Sequence, residues 1–296
     1  MAANVQPLAK VGTKQNAIWS IGIYTGSTLC NLSPAHGVSM PVLSAQDVTD
    51  IQAKFVADPF MIHVAGTWHM FFEVLNGETN KGDIGWATSQ NGLSWNYQKI
   101  VLTGPFHLSY PYVFSLGGEY YMVPESYEAK AVQLYRAAPF PTKWVPVKTL
   151  LEGPWVDSSI FYFRGQWWMF SNPLAPAHQV LELFYADQIT GPWHRHPMSP
   201  IVQNNPRMAR SAGKVIVSEK IVTRFTQDCA PYYGAAVRAF EISELTTTTY
   251  GENELERSPI LLKGQEPWHQ SGMHHIDAHW VDGRWFACVD GWRVNP

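Results

Sequence analysis

The sequence predicts an all-β fold, a five-bladed β-propeller of four-stranded antiparallel blades around a central channel, and three observations lead there. A strand–turn–strand segment recurs four times in the 296 residues: Asp58 through Gly66-Thr-Trp68 to Glu73, Tyr110 through Gly118-Glu-Tyr120 to Glu125, Asp157 through Gly165-Gln-Trp167 to Asn172, and His275 through Gly283-Arg-Trp285 to Asp290. A second marker closes three of the units at Trp95, Trp144 and Trp193, with the same interval of 49 residues both times. Between units lie apolar runs that stop at turn formers, such as Ile100-Val-Leu-Thr-Gly-Pro105 and Pro259-Ile-Leu-Leu-Lys-Gly264. Four short strands in every ~40–50 residues is the period of a propeller blade.

Each element follows from its residues. Residues 17–45, with Ile18-Trp-Ser-Ile-Gly-Ile-Tyr24 and Pro41-Val-Leu43, read as strands that complete the last blade. Pairing the two ends of the chain removes the open edge that a linear array would leave. Three blades start near Asp58, Tyr110 and Asp157; their strands are rich in Val, Ile, Phe, Tyr and Trp and bounded by Gly, Pro, Asn and Asp. A weaker fourth runs from about Arg207 to Tyr250, with inner residues near Arg210, a hairpin over Gly213–Arg224 and a third strand over Ala235–Ile242. The fifth starts near His275 and supplies two strands. With no helix of useful length and no linker, residues 1–296 read as a single domain.

Composition narrows the function. The chain is 46% hydrophobic and 15% charged, enough apolar material for a large core. A net charge of −3 without a basic run argues against nucleic acid or an anionic membrane as partner. No stretch approaches the ~20 apolar residues of a membrane span. Met1–Gln15 is polar and lacks a signal-peptide core. Cys30, Cys229 and Cys288 show neither metal spacing nor a disulfide framework, and the expectation is a cytoplasmic location. That N-terminus is equally compatible with a signal already removed. The 13 tryptophans fill the space between sheets, with a minority of rings left to line a site.

Topology places the chemistry. In a propeller, the start of a blade's first strand and the end of its second share one rim. Those positions are Asp58 and Glu73, Tyr110 and Glu125, Asp157 and Asn172, and His275 and Asp290. Blade four adds Arg210, Gln227 and Asp228. Several carboxylates converging among aromatic walls suit glycoside hydrolysis, which needs one acid on the leaving oxygen and one carboxylate to activate water or attack. A third carboxylate raises the acid's pKa by like-charge repulsion. His275, Asp277 and His279 share one face of a strand, while His274 points away. That trio could hold a divalent ion; the plainer reading is channel residues that bind each other or substrate, and no cofactor is required.

At Val56-Ala-Asp-Pro-Phe60 and the Gly-x-Trp hairpin after it, the chain resembles the five-bladed propeller glycosidases of the family 43 and family 32 type. The resemblance implies Asp58 as the first aspartate of that group. Asp157, in Val-Asp-Ser-Ser-Ile-Phe, resembles the second, which usually reads Asp-Pro-Ser. The glutamate is Glu125, in Val-Pro-Glu-Ser, or Glu73; many members instead carry Glu-Gly-Pro. Trp19-Ser-Ile-Gly-Ile-Tyr24, Phe106-His-Leu-Ser-Tyr-Pro111, Val123-Pro-Glu-Ser126, Gln227-Asp-Cys229 and Asp277-Ala-His279 resemble a further group over almost the whole chain. This is the propeller domain at the N-terminus of plant glucosamine inositolphosphorylceramide transferases and their bacterial relatives. In the plant proteins the transferase activity belongs to another domain.

The expectation is an inverting glycoside hydrolase acting on a small-molecule or oligosaccharide substrate. Asp58 is the base, Glu125 or Glu73 the acid, and Asp157 the tuning carboxylate. His107, Tyr110, Trp155, Arg210, Asp228, His275 and Asp277 bind the substrate. The alternatives are a non-catalytic carbohydrate-binding propeller, and a phosphorylase or transglycosidase that would use Arg210 and Lys220.

Overall fold

Each repeat folds as a hairpin whose turn explains its glycine. The computed structural model describes residues 17–176 and 178–295, so the reading of Met1–Gln15 falls outside the described residues. In order, the strands are β1 (Ala17–Gly26), β2 (Leu32–Pro34), β3 (Ala53–Val64), β4 (Thr67–Asn76), β5 (Gly82–Ser89), β6 (Asn96–Leu102) and β7 (Ser109–Leu116). There follow β8 (Glu119–Glu125), β9 (Ala131–Ala137), β10 (Trp144–Glu152), β11 (Trp155–Phe163), β12 (Gln166–Pro173), β13 (Glu182–Ala186) and β14 (His194–Arg195). The last are β15 (Ile216–Val217), β16 (Val222–Asp228), β17 (Ala236–Leu245), β18 (Tyr250–Glu254), β19 (Leu261–Leu262), β20 (Ile276–Val281) and β21 (Arg284–Val294).

Both central residues of the repeated turns have positive φ: Ala65 and Gly66, Gly117 and Gly118, Arg164 and Gly165, Asp282 and Gly283. Two successive residues of that hand define the type I′ turn, whose twist matches the flanking strands and whose second position favours glycine.

The strands pair into five antiparallel sheets, in the orders β3-β4-β5-β6, β7-β8-β9-β10, β11-β12-β13-β14, β15-β16-β17-β18 and β20-β21-β1-β2. The protein is therefore a five-bladed β-propeller. The fifth blade is completed by the N-terminal strands: β1 pairs with β21 from Ala17↔Val294 to Gly26↔Trp285. Blade four extends past Tyr250 through β18, and β19 adds to the far end of β17.

The core lies in the seams between neighbouring blades. Phe60 and Phe71 of blade one meet Val123, Leu134 and Trp144 of blade two. Phe161 and Phe170 of blade three pack with Val222 and Ile242 of blade four. Phe225 and Val237 of blade four meet Ile276 and Val289 of blade five. Ile21, Ile23 and Cys288 of blade five pack on Met70, Phe72 and Val74 of blade one, completing the circle. No helix among the described residues is long and apolar enough to cross a membrane.

Candidate active site

Strand register brings the ends of each hairpin to one rim. Glu73 stands opposite Ala57, Glu125 opposite Ser109 and Asn172 opposite Val156, each one residue from Asp58, Tyr110 and Asp157. Those three positions share an unusual backbone. Asp58, Tyr110 and Asp157 have φ of 52°, 46° and 48°, and each lies in a register shift of its inner strand. A bulge with a left-handed residue turns that side chain out of the pleat. Asp tolerates this conformation; Tyr does so less readily.

Asp58 is the centre of the charge cluster and only 6% exposed. Burial raises its pKa well above the ordinary carboxylate value, and the charges of Glu73, Asp290, Asp157 and Glu125 raise it further. These carboxylates come from blades one, two, three and five. Asp290 accepts the Asp58 N–H at 3.0 Å on Oδ2. Its Oδ1 accepts the backbone N–H of His274 at 3.2 Å and lies 2.8 Å from His274 Nδ1. Burial opposes ionisation of Asp290, but the charge and hydrogen bond of His274, aided by His275 and the Asp58 N–H, bring its pKa below the ordinary value.

Asp157 has a different environment. It accepts from Arg210 Nε at 2.5 Å and from Gln227 Nε2 at 3.2 Å, and its own N–H donates to Glu125 Oε2 at 3.2 Å. Burial pushes its pKa up, but the Arg210 charge and hydrogen bond outweigh this and leave it lowered. Arg210 also lies over the Tyr233 ring, 5.0 Å from its centroid. Two neighbouring aspartates are thus driven apart, the pKa of Asp58 upward and that of Asp157 downward.

Beside the cluster opens a cleft of about 760 Å³. Its walls are Trp19 and Trp292 from blade five, Glu73 and Phe55 from blade one, His107 and Tyr127 from blade two, Tyr233 from blade four, and His274. That volume falls in the range of small-ligand sites. The rings present flat apolar faces between polar groups. His107 accepts the Gly82 N–H on Nδ1 at 2.9 Å, which leaves its other nitrogen to donate toward Glu73 Oε1, 3.3 Å away. Asp58, Asp157 and Glu125 do not line the cleft; Asp58 lies behind its wall residue His274, whose Nε2 is 3.8 Å from Asp58 Oδ1.

The remaining sequence-predicted residues divide. Glu73, Glu125, Asp58, Asp157 and Arg210 gather at the cluster, and His107 joins through Glu73. Tyr110 is fully buried, and its hydroxyl bridges Ser159 and both backbone groups of Gly213. Asp228 is turned away from the cluster, bound to Arg207 and Arg238. Trp155 donates to its neighbour Glu152 and packs on Phe184. Lys220 is exposed in the turn between β15 and β16, at the opposite end of blade four from Arg210.

His275, Asp277 and His279 do not form one group. Asp277 pairs with His279 at 3.1 Å and accepts the Met61 N–H, and its pKa falls to about 2: burial opposes this, and His279 and Lys214 outweigh it. His275 instead sits 3.6 Å from Asp58 Oδ1, edge-on to Phe60, and burial lowers its pKa to about 4. The expectation that His274 points away is corrected. The regular strand begins at Ile276, so period-two alternation does not extend to His274, which faces the cleft. Among the described residues, Asp58, His274 and Asp290 bring ligand-type atoms within 4.8 Å of one another. Asp290 joins the other two, accepting the Asp58 N–H on one oxygen and bonding His274 on the other, while His274 Nε2 lies 3.8 Å from Asp58 Oδ1, beyond hydrogen-bond distance. Trp19, Tyr233 and His274 are the site residues that sequence reasoning missed; the repeat pattern holds no signal for groups outside the aligned hairpins.

The fold and its rim of carboxylates define a five-bladed propeller of the architecture found in carbohydrate-active enzymes. An exo-β-1,3-galactanase from Clostridium thermocellum superposes with a TM-score of 0.65 at 12% identity, covering 79% of this chain and 55% of the galactanase chain. The catalytic domain of a family 62 α-L-arabinofuranosidase from Coprinopsis cinerea gives 0.60 at 11% identity, covering 81% of this chain and 92% of its own. At such identities the likeness is one of fold. The chain itself belongs to the family described as glucosamine inositolphosphorylceramide transferase 1, N-terminal, whose model matches residues 12–292. It is 35% identical over 303 residues to glucosamine inositolphosphorylceramide transferase 1 of Oryza sativa subsp. japonica, covering 93% of this chain but only 40% of the rice protein.

Proposed function

We propose that this propeller is a glycoside hydrolase that cleaves a small glycan or glycoside at the carboxylate cluster beside the rim cleft, with inversion. The observation that carries this reading is the convergence of Glu73, Glu125, Asp157 and Asp290 on Asp58. Asp58 accepts the proton of the attacking water. A base whose pKa is raised works nearer neutrality than an ordinary aspartate, which favours proton transfer. Glu73 or Glu125 protonates the leaving oxygen. Asp157, held as an anion by Arg210, stabilises positive charge developing on the sugar ring.

The test is turnover of an aryl-glycoside panel with the anomer of the first product read by proton NMR. Inverted product that disappears in Asp58→Asn supports the reading, whereas retained activity in that variant ends it. Glu73→Gln and Glu125→Gln separate the candidate acids. The true acid variant keeps activity on substrates with good leaving groups and loses it on poor ones.

A second reading has support from the relatives. The rice protein is named a transferase, and this chain spans 40% of it. A propeller that binds a glycan without cleaving it would show saturable glycan binding and no turnover across the panel.

A further inference from the structure

The buried chain behind the cleft wall is more ordered than a cluster of charges. Asp290 Oδ1 accepts the backbone N–H of His274 and also lies 2.8 Å from its Nδ1. A carboxylate only accepts, so Nδ1 carries a proton toward Asp290. Its Nε2 faces Asp58 Oδ1 at 3.8 Å. The ring is clamped: it stacks on Trp19, with centroids 3.9 Å apart and planes at 25°, and meets Tyr233 edge-on at 5.2 Å. It is 3% exposed yet forms part of the cleft wall. Orientation and access are therefore both fixed.

We propose that His274, oriented by Asp290, is a positioning residue for Asp58, standing between its carboxyl and the cleft and exchanging its proton, so that the working unit is Asp290–His274–Asp58. This assignment rests on the hydrolytic reading. In the reaction, an O–H bond of water breaks and its proton goes to Asp58. The hydroxyl oxygen bonds to the anomeric carbon as the glycosidic C–O bond breaks. The leaving oxygen takes its proton from the glutamic acid. Asp58 then passes its proton to His274 Nε2, which releases it to water in the cleft, while the glutamate regains one from solvent. The imidazolium formed in passing is stabilised by Asp290, in the manner of a carboxylate behind a catalytic histidine.

The ionisable groups facing His274 come from several elements. They are Asp58 on β3, Asp290 on β21 and Tyr233 in the connection between β16 and β17, with the charges of Asp157 and the adjacent His275 also acting across the site. Burial, with the surrounding carboxylates, makes Asp58 reluctant to ionise, so an adjacent proton acceptor has work to do.

The experiment has two arms. The first needs no turnover. In protein labelled with nitrogen-15 at histidine, His274 should show the Nδ1–H tautomer, and Asp58→Asn should displace its ring-nitrogen signals while the surface control Glu119→Gln leaves them in place. An Nε2–H tautomer, or no response to Asp58→Asn, overturns the proposal. The second arm measures aryl-glycoside hydrolysis. His274→Gln and Asp290→Asn should each lower kcat by about 100-fold, with KM changed by less than about threefold, and displace the acidic limb of the pH profile. Asp290→Glu, which keeps the carboxylate, should recover part of the rate. A His274→Gln variant with wild-type kcat and pH profile overturns the proposal. So does uptake of one equivalent of Zn2+ or Mn2+ that His274→Gln abolishes, since the imidazole would then be a ligand. Absence of turnover in the wild-type protein would overturn the hydrolytic reading, and the first arm would still decide whether His274 and Asp58 are coupled.

Discussion

Asp58 meets opposing demands: a left-handed backbone, burial, and four carboxylates around it. Its folded pKa is raised, so its contribution to stability is fully present below the unfolded value of about 3.9 and is lost as pH rises through the folded value. Asp157 and Asp290 act the other way. Their folded values are lowered, so their stabilisation is present above about 3.9 and is lost as pH falls through the folded values. Asn accepts the left-handed conformation and carries no charge. Asp58→Asn should therefore abolish hydrolysis and raise Tm at pH 7, by roughly 2–4 °C for each kcal/mol gained, with the gain gone near pH 4. Calorimetry at the two pH values checks this, and a lower Tm at pH 7 contradicts it. Asp157→Asn should destabilise by about 3–5 kcal/mol in urea titration, because Arg210 is left buried without its carboxylate. Replacing both residues with apolar ones should recover most of that loss. The pairing of Asp58 with Glu73 was legible because strand register follows from hairpin length. The departure of Asp228 was not. It neighbours Gln227 on β16, and alternation sends one side chain to Asp157 and the other to Arg207 and Arg238.

Among elements, the inner hairpins differ in how plainly the sequence declares them. Blades one, two, three and five turn through positive-φ pairs ending in glycine, and each was legible from that residue and the aromatic two positions on. Blade four turns over residues 218–221, with Ser218 bonding Ile221, and shows no glycine there. Its outer limit was placed too early, at Tyr250, and the apolar run Pro259–Gly264 marked β19 without showing that it pairs with β17. What fixes blade four is a long-range tie. Gly213, with φ of 133°, lies so close to Ile276 that a Cβ would overlap that residue's carbonyl oxygen, and its N–H and C=O both meet the Tyr110 hydroxyl. Tyr110→Phe should cost about 1–3 kcal/mol by leaving buried backbone groups unsatisfied, read as a lower denaturation midpoint with unchanged m-value. An unaltered midpoint would show that the tie contributes nothing. Gly213→Ala should be worse tolerated, since both the space and the backbone conformation exclude a methyl group.

For the whole molecule, closure decides whether the ring has an edge. All 10 residues of β1 pair with β21. A chain that starts at Ala35 would expose β21 along that length, and it should associate through the free edge. Light scattering would show growth beyond the size of the full chain; a monodisperse truncated protein would contradict the expectation. The same strand carries Trp19, the ring on which His274 is stacked. β1 and β21 lie far apart along the chain, so the pocket wall waits until both have been made. Any recognition at the pocket is in this sense a certificate of a closed ring: nicked chains and chains that lend β1 to a neighbour would differ from the intact protein in what they bind before they differ in most of their structure.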